Sequence, residues 1–257
     1  MTITSMDNQY VRRFAKLVKD RAFRESCREY ILEGDKLLQE ALSCGVKPEY
    51  VFYLEGSLDG SLTEALKKLS VPLLCADERV MGKITDVKTP QGIVFSCPMP
   101  ELSVPGELKK GPYIILDTVS NPGNLGTIIR TADAFGISGV ILTGSCADPF
   151  SPKTARSAMG SLFRVKLYKA SYEELKTLFD RSGIPFYSAV LSEDAGLIGS
   201  LPLENAAVII GNEAHGVSEE LRKLSAGALI IPMKGETESL NAAVSAAIFM
   251  WEMTKRG

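Results

Sequence analysis

The sequence predicts an α/β protein of two domains, the second built on a mostly parallel sheet. Three observations predict this class. Short continuous apolar runs alternate with segments of helical periodicity, as expected for strands covered on both faces by crossover helices. The stretch CPMPELSVPGELKKGP at 97–112 interrupts that alternation with four prolines and reads as an extended linker. A chain of 257 residues, 45% of them apolar, is long enough for one large core or two modest ones. The expected division is a small α/β domain at 1–98, a linker at 99–111 and a larger α/β domain at 112–257.

In the first domain, Val11, Phe14, Ala15 and Val18 recur at helical spacing between Asn8 and Lys19 and predict an amphipathic helix. YILEG at 30–34 reads as a strand. Residues 35–43 read as a helix stopped by Gly45. VFYL (51–54), VPLLC (71–75) and GIVFS (92–96) are further strands, with helices at 62–69 and 77–85. Beyond the linker, YIILD (113–117) is a strand, NPGNLGTIIRTADAFG (121–136) opens a helix, and GVILTG (139–144) is the next strand. Later strands are expected at 163–168, 185–190, 207–211 and 228–231, with helices at 171–182 and 239–255.

A net charge of -2 gives no global cationic field, so a nucleic-acid site would have to be a local basic patch. One exists near the N-terminus. Arg12, Arg13, Lys16, Lys19, Arg21, Arg24 and Arg28 stand there against Asp7, Asp20 and Glu25. A solvated helix face and an RNA contact explain that patch equally well. Five cysteines, at 27, 44, 75, 97 and 146, form no CxxC pair and are odd in number, which argues against a disulfide framework and a zinc cluster. No apolar run approaches the roughly 18 residues of a membrane span. A cytoplasmic protein with neither metal nor membrane is expected.

Ligands of parallel sheets sit beyond the carboxyl ends of the strands, so three loops are singled out. NPGNLGTIIRTADAFG follows YIILD, GNEAHG (211–216) follows AVII, and PMKGETESLNAAVSAA (232–247) follows ALII. The first holds two asparagines, two glycines and an arginine within ten residues, more than an ordinary strand-to-helix junction requires. Phosphate-loop and GxGxxG patterns are absent, and a single histidine, His215, leaves no histidine-based triad. Ser239 can cap the last helix, whose alanines allow close approach of another helix or of a ligand.

The ordered set N-P-G-N-L-G-T-I-I-R-T-A, I-G-N-E-A-H-G, I-P-M and S-L-N-A-A-V-S-A-A resembles the three motifs of the SpoU family of SPOUT RNA methyltransferases over residues 112–257. VRRFAKL and YILEGDKLLQEAL are similar to the small substrate-binding domain that often precedes that catalytic domain. The resemblance implies methyl transfer from S-adenosylmethionine to a ribose 2′-hydroxyl of ribosomal or transfer RNA, with ribosomal RNA preferred, by a homodimer with a C-terminal trefoil knot. A non-catalytic RNA-binding or ribosome-assembly factor of the same fold is the alternative. The implied catalytic group is Arg130 with Asn124, Glu213, Ser239 and Asn241. The implied cofactor residues are Leu142, Thr143 and Gly144 after the second strand, Gly211, Asn212 and Glu213, Ile231 and Met233, and Leu240, Asn241 and Ala242. Arg12, Arg13, Lys16 and Arg24 are the implied RNA contacts.

A guanidinium has five donors and keeps its proton, which suits Arg130 to clamp a phosphate beside the reacting hydroxyl. Solvent, a phosphate oxygen or an arginine of altered pKa are each conceivable proton acceptors. The structural alternative for Arg130 is a surface pair with Asp133 on the next turn, worth about 0.2–0.5 kcal/mol. Glu213 either orders the site or holds a basic residue across a subunit contact. His215 is incidental to the motif. The motifs specify a reaction, not the RNA, the nucleotide or an antibiotic-resistance role.

Overall fold

Asn8 starts the first helix of the computed structural model, which describes residues 2–192 and 194–255; its Oδ1 accepts from the Tyr10 backbone N–H. That helix, α1 (Gln9–Lys19), buries Val11, Phe14 and Leu17. Asp20 ends it and at once caps a second helix, α2 (Arg21–Cys27), by accepting from the Phe23 N–H. The hinge is a single residue and leaves no gap in the polar pattern, so α2 has no separate signal in the sequence. There follow β1 (Glu29–Glu33), α3 (Asp35–Ser43), β2 (Tyr50–Tyr53), α4 (Gly60–Lys68), β3 (Leu73–Cys75), α5 (Glu78–Lys83) and β4 (Ile93–Pro98). The sheet order is β1-β4-β2-β3, with β4 antiparallel to both neighbours and β3 parallel to β2. Phe14, Phe52, Val80, Met81 and Val94 lie in its core.

The second sheet is entirely parallel. It comprises β5 (Tyr113–Asp117), β6 (Gly139–Thr143), β7 (Leu167–Lys169), β8 (Phe186–Ala189), β9 (Gly196–Leu197), β10 (Ala207–Ile210) and β11 (Gly227–Ile230), in the order β7-β6-β5-β10-β8-β11-β9. The helices α6 (Pro122–Ala134), α8 (Tyr172–Ser182), α9 (Glu219–Leu224) and α10 (Ala242–Thr254) accompany it. β5, β6 and β10 are buried along their whole length, which explains their unbroken apolar runs. The strand expected at 163–168 starts later, at Leu167, because a 3-10 turn occupies Met159–Phe163. The last helix starts at Ala242, so Asn241 caps it and Ser239 does not.

Two compact units result. Residues up to Pro100 group with Asp148–Phe163, and Glu101–Ala147 group with the chain from Arg164 onward. Residues 152–158, for which the sequence suggests no helix and which fall in the expected C-terminal domain, form α7 (Pro152–Ala158) and pack within the first unit. Phe150 stacks against Tyr30 with ring centroids 5.0 Å apart. Arg24 donates through Nε and Nη2 to Asp148 Oδ2, at 3.0 and 2.6 Å, and through Nη1 to the Leu17 carbonyl at 2.6 Å. Because Arg24 is only 4% exposed, the RNA contact expected of it is replaced by a structural one. Removing one partner of a buried pair strands the other charge, at a cost of about 3–5 kcal/mol. Arg24→Ala is therefore expected to lower the thermal midpoint markedly, and Arg24→Lys is expected to recover only part, since an ammonium lacks the fork.

Candidate active site

Beyond the carboxyl ends of β8, β10 and β11 the chain forms a cavity of about 440 Å3. This lies within the range of about 300–1,000 Å3 usual for small-molecule and cofactor sites. Residues 189–192 and 210–217 wall it with Ile231, Met233 and residues 238–240, and Ala242, Ser245 and Phe249 of α10 close it. The loop after β10 folds back on itself through paired backbone bonds between Asn212 and Gly216, at 3.0 and 2.9 Å. A Cβ on Gly211 would come within 2.1 Å of the Gly216 carbonyl carbon, so only glycine fits. The Asn212 side chain is spent inside the loop: Oδ1 accepts from the Ala214 and His215 N–H groups, while Nδ2 donates to the Thr118 carbonyl at 2.9 Å.

Asp117, 1% exposed at the end of β5, secures the same region. Its carboxylate accepts from the Ser218 N–H at 2.7 Å, the Tyr172 hydroxyl at 2.8 Å and the Thr118 hydroxyl at 3.1 Å. It thus fastens the junction before α6 to the end of the 211–217 loop. Nothing in the sequence motifs singled it out.

The three loops are joined by side chains. Asn241 Oδ1 accepts from the Ala243 and Val244 N–H groups as helix cap, which leaves its Nδ2 to donate to Asn124 Oδ1 at 3.0 Å. With that oxygen occupied, Asn124 Nδ2 donates to Glu213 Oε1 at 2.9 Å. The direction of the chain is fixed by chemistry, since each amide has one end already committed. Burial alone would raise the Glu213 carboxyl, but the Asn124 amide and the backbone N–H groups of Glu213, Ser120 and Asn121 outweigh it and hold its pKa below the ordinary 4.5. Its stabilising contribution is present above that ordinary value and disappears as pH falls through the lower folded value.

Asn241→Asp keeps the capping oxygen and removes the donor, so it separates the two roles. The expected result is near wild-type stability with the methyl transfer implied by the motifs reduced at least about tenfold, whereas Asn241→Ala also loses about 1 kcal/mol of helix capping. Thermal melts and initial rates on the two variants check this.

Asn121 caps α6 by accepting from the Gly123 and Asn124 N–H groups, and Pro122 occupies the first turn. Arg130 lies six residues beyond Asn124, about 9 Å along the helix at 1.5 Å per residue, and is exposed. The pair with Asp133 does not form. Asp133 Oδ2 accepts instead from Arg164 Nε and Nη2, at 2.9 and 2.7 Å, and Arg130 has no hydrogen-bond or ionic partner among the described residues.

Most of the expected cofactor positions meet at one place: Gly211, Asn212, Glu213, Ile231, Met233, Leu240 and Ala242 line the cavity, and so does Ser239. Asn241 stands between two lining residues. Leu142, Thr143 and Gly144 do not line it, because they end β6 and β5 separates that strand from β10. Their place is taken by Ala189–Ser192 after β8, a loop without any conspicuous residue. Sequence reasoning also missed Arg222 and Glu238 and set His215 aside, although all three face the cavity.

Comparison with known proteins agrees with this geometry. The SpoU rRNA Methylase family matches residues 111–251, and an MRM3-like substrate binding domain matches residues 8–94. The chain is 33% identical to 23S rRNA (guanosine(2553)-2′-O)-methyltransferase RlmP of Bacillus subtilis, over 98% of both sequences. A crystal structure of an rRNA methyltransferase from Sinorhizobium meliloti superposes with a TM-score of 0.89 at 30% identity, covering 100% of this chain and 98% of that one. The AdoMet-bound form from the same organism gives 0.86 at 29%, with the same coverage.

Fold, cavity and relatives define the class, an S-adenosylmethionine-dependent RNA 2′-O-ribose methyltransferase with a SPOUT-type parallel sheet. Within that class, the chain belongs to the SpoU rRNA Methylase family.

Proposed function

We propose that the protein methylates a ribose 2′-hydroxyl of ribosomal RNA, using the cavity for S-adenosylmethionine and Arg130 for the RNA. The observation that carries this reading is the Glu213–Asn124–Asn241 chain, which ties the arginine-bearing helix to the cavity wall. The donor set suits the cofactor: a glycine cradle permits close backbone approach, Ile231, Met233, Leu240 and Ala242 offer nonpolar cover for an adenine, and Arg222 opposes a carboxylate while Glu213 and Glu238 oppose positive charge. When bound, the cofactor supplies an electrophilic methyl on a sulfonium centre.

The chain's own residues do the remaining work. Arg130 donates to a phosphate beside the target ribose and favours the oxyanion as the 2′-hydroxyl loses its proton. Asn124 and Asn241 hold its helix against the cofactor loop, so that rate comes from positioning two bound partners. Arg222→Ala is expected to weaken cofactor affinity about 10- to 150-fold by calorimetry, one charge-assisted hydrogen bond being worth about 1.5–3 kcal/mol.

Dimer formation is part of this reading. α6 and α10 run side by side in parallel, with Asn124 and Asn241 at their starts and the Phe135 and Trp251 rings 5.9 Å apart near their ends. Trp251 is 58% and Val244 47% exposed, an apolar surface suited to a second copy. A sedimentation run giving a monomer would remove this part alone. The knot belongs here too, supported by the return of α10 from β11 across to α6. No helix among the described residues is long and apolar enough to cross a membrane. Five thiols suit the reducing cytoplasm in which ribosomal RNA is made.

The test is incubation with methyl-tritiated S-adenosylmethionine and RNA from cells lacking the protein. Label recovered in alkali-resistant dinucleotides of ribosomal RNA is the expected result. Cofactor binding without any labelled RNA would favour the non-catalytic alternative.

A further inference from the structure

The N-terminal unit carries a concavity of about 580 Å3 in which Arg12, Arg13 and Lys16 of VRRFAKL meet Gln9, Tyr10, Phe23 and Tyr50. Its make-up is unusual for a merely solvated helix face. Tyr10 and Tyr50 are half-buried, each resting on the core, and their ring centroids lie 5.3 Å apart at 48°. Neither tyrosine hydroxyl has a partner among the described residues. The cations divide into two kinds. Arg13 donates through Nε and Nη2 to Glu29 Oε2, and Glu29 is 2% exposed, so its charge is matched and its guanidinium fixed. Lys16 lies over the Phe23 ring, 5.4 Å from its centroid, and Arg12 is exposed without a partner among the described residues. Both therefore present unmatched positive charge at the edge of an aromatic floor.

We infer that this concavity is a receptor for an unpaired nucleotide of the RNA, with the base stacked on the Tyr10–Tyr50 floor and the flanking phosphates held by Arg12 and Lys16. The inference rests on the RNA methyltransferase reading and adds which RNA element the first unit selects. Aromatic side chains can stack only on bases that are splayed out, because those of a duplex are already covered by their neighbours. A site made for the duplex backbone would need cations and no rings. Arg13, held by Glu29, forms part of the wall of the same concavity.

The test uses the full-length protein, a short fluorescein-labelled oligouridylate, and the same strand annealed to oligoadenylate, followed by anisotropy at several salt concentrations. Tyr10→Leu keeps an apolar side chain for the core but removes the ring, and is expected to weaken single-strand binding by about 5- to 150-fold. Tyr10→Phe should bind as the wild type does. Arg12→Gln and Lys16→Gln, at exposed positions that put no core at risk, should each lower the salt slope by about 0.7. The inference is overturned if the duplex binds as tightly as the single strand, if Tyr10→Leu binds unchanged, or if the wild type binds neither. Calorimetry of S-adenosylmethionine on the same samples separates the two readings. Retained cofactor binding confines the failure to the groove, and its loss in the wild type would instead sink the methyltransferase assignment.

Discussion

Arg130→Ala is expected to bind S-adenosylmethionine with wild-type affinity and to transfer methyl groups more slowly by a factor of about 10²–10³, the usual cost of removing one preorganised charge-stabilising donor. The physical basis is that its guanidinium has no hydrogen-bond or ionic partner among the described residues. Asp133, on the next turn of the same helix, is already held by Arg164. An exposed arginine without a partner contributes little to stability, so the melting temperature should stay within the error of measurement. Arg130→Lys should recover only a fraction of the rate, because a point charge does not reproduce a planar fork on phosphate. Single-turnover rates and calorimetry on the same preparations separate the two effects. A loss of cofactor affinity equal to the loss of rate would mean that Arg130 supports the cavity and not the RNA.

Gly211→Ala should do the reverse, removing cofactor binding through the backbone. One methyl group there would lie 2.1 Å from the Gly216 carbonyl carbon and 2.2 Å from the Val217 nitrogen, and neither is a flexible side-chain end that can yield. Accommodation requires opening the Asn212–Gly216 turn, which also aims Glu213 at Asn124 and Ser218 at Asp117. Overpacking of this kind costs about 1–3 kcal/mol, and more where backbone must move. Cofactor affinity should fall by at least about tenfold, together with a lower melting temperature. Gly216→Ala is the internal comparison, since a Cβ there meets nothing within 4 Å, although its φ of +70° still strains any other residue. If Gly211→Ala binds cofactor normally, this loop is not the cofactor wall.

Much of the catalytic unit was legible because its signals are local. Unbroken apolar runs mark β5, β6 and β10, which are buried on both faces, and the over-equipped junction at 121–130 marks a loop whose polar groups have partners elsewhere. The missed elements lack such signals. β9 has two residues, and α2 follows α1 after a single hinge residue. α9 is a six-residue helix with one buried side chain, too short to display a period. Charge alone misassigned Arg24, because composition cannot distinguish an arginine facing water from one folded back on Asp148, 124 positions away.

The sequence by itself determined the alternation of strands and helices, the glycine and asparagine chemistry of three loops, and a reaction class carried by their order. Those properties depend on neighbouring residues and on fixed periods, so they survive in one dimension. Only the tertiary structure decided which strand ends meet. The order β6-β5-β10-β8-β11 sets Leu142–Gly144 apart from the cavity and brings Ala189–Ser192 into it. It also decided which polar groups pair, so that Asn241 meets Asn124 across 117 positions and Arg130 is left without a partner among the described residues. The reason is physical. Strand adjacency and side-chain pairing are chosen by the burial of the whole sheet, and no short stretch of chain contains that information.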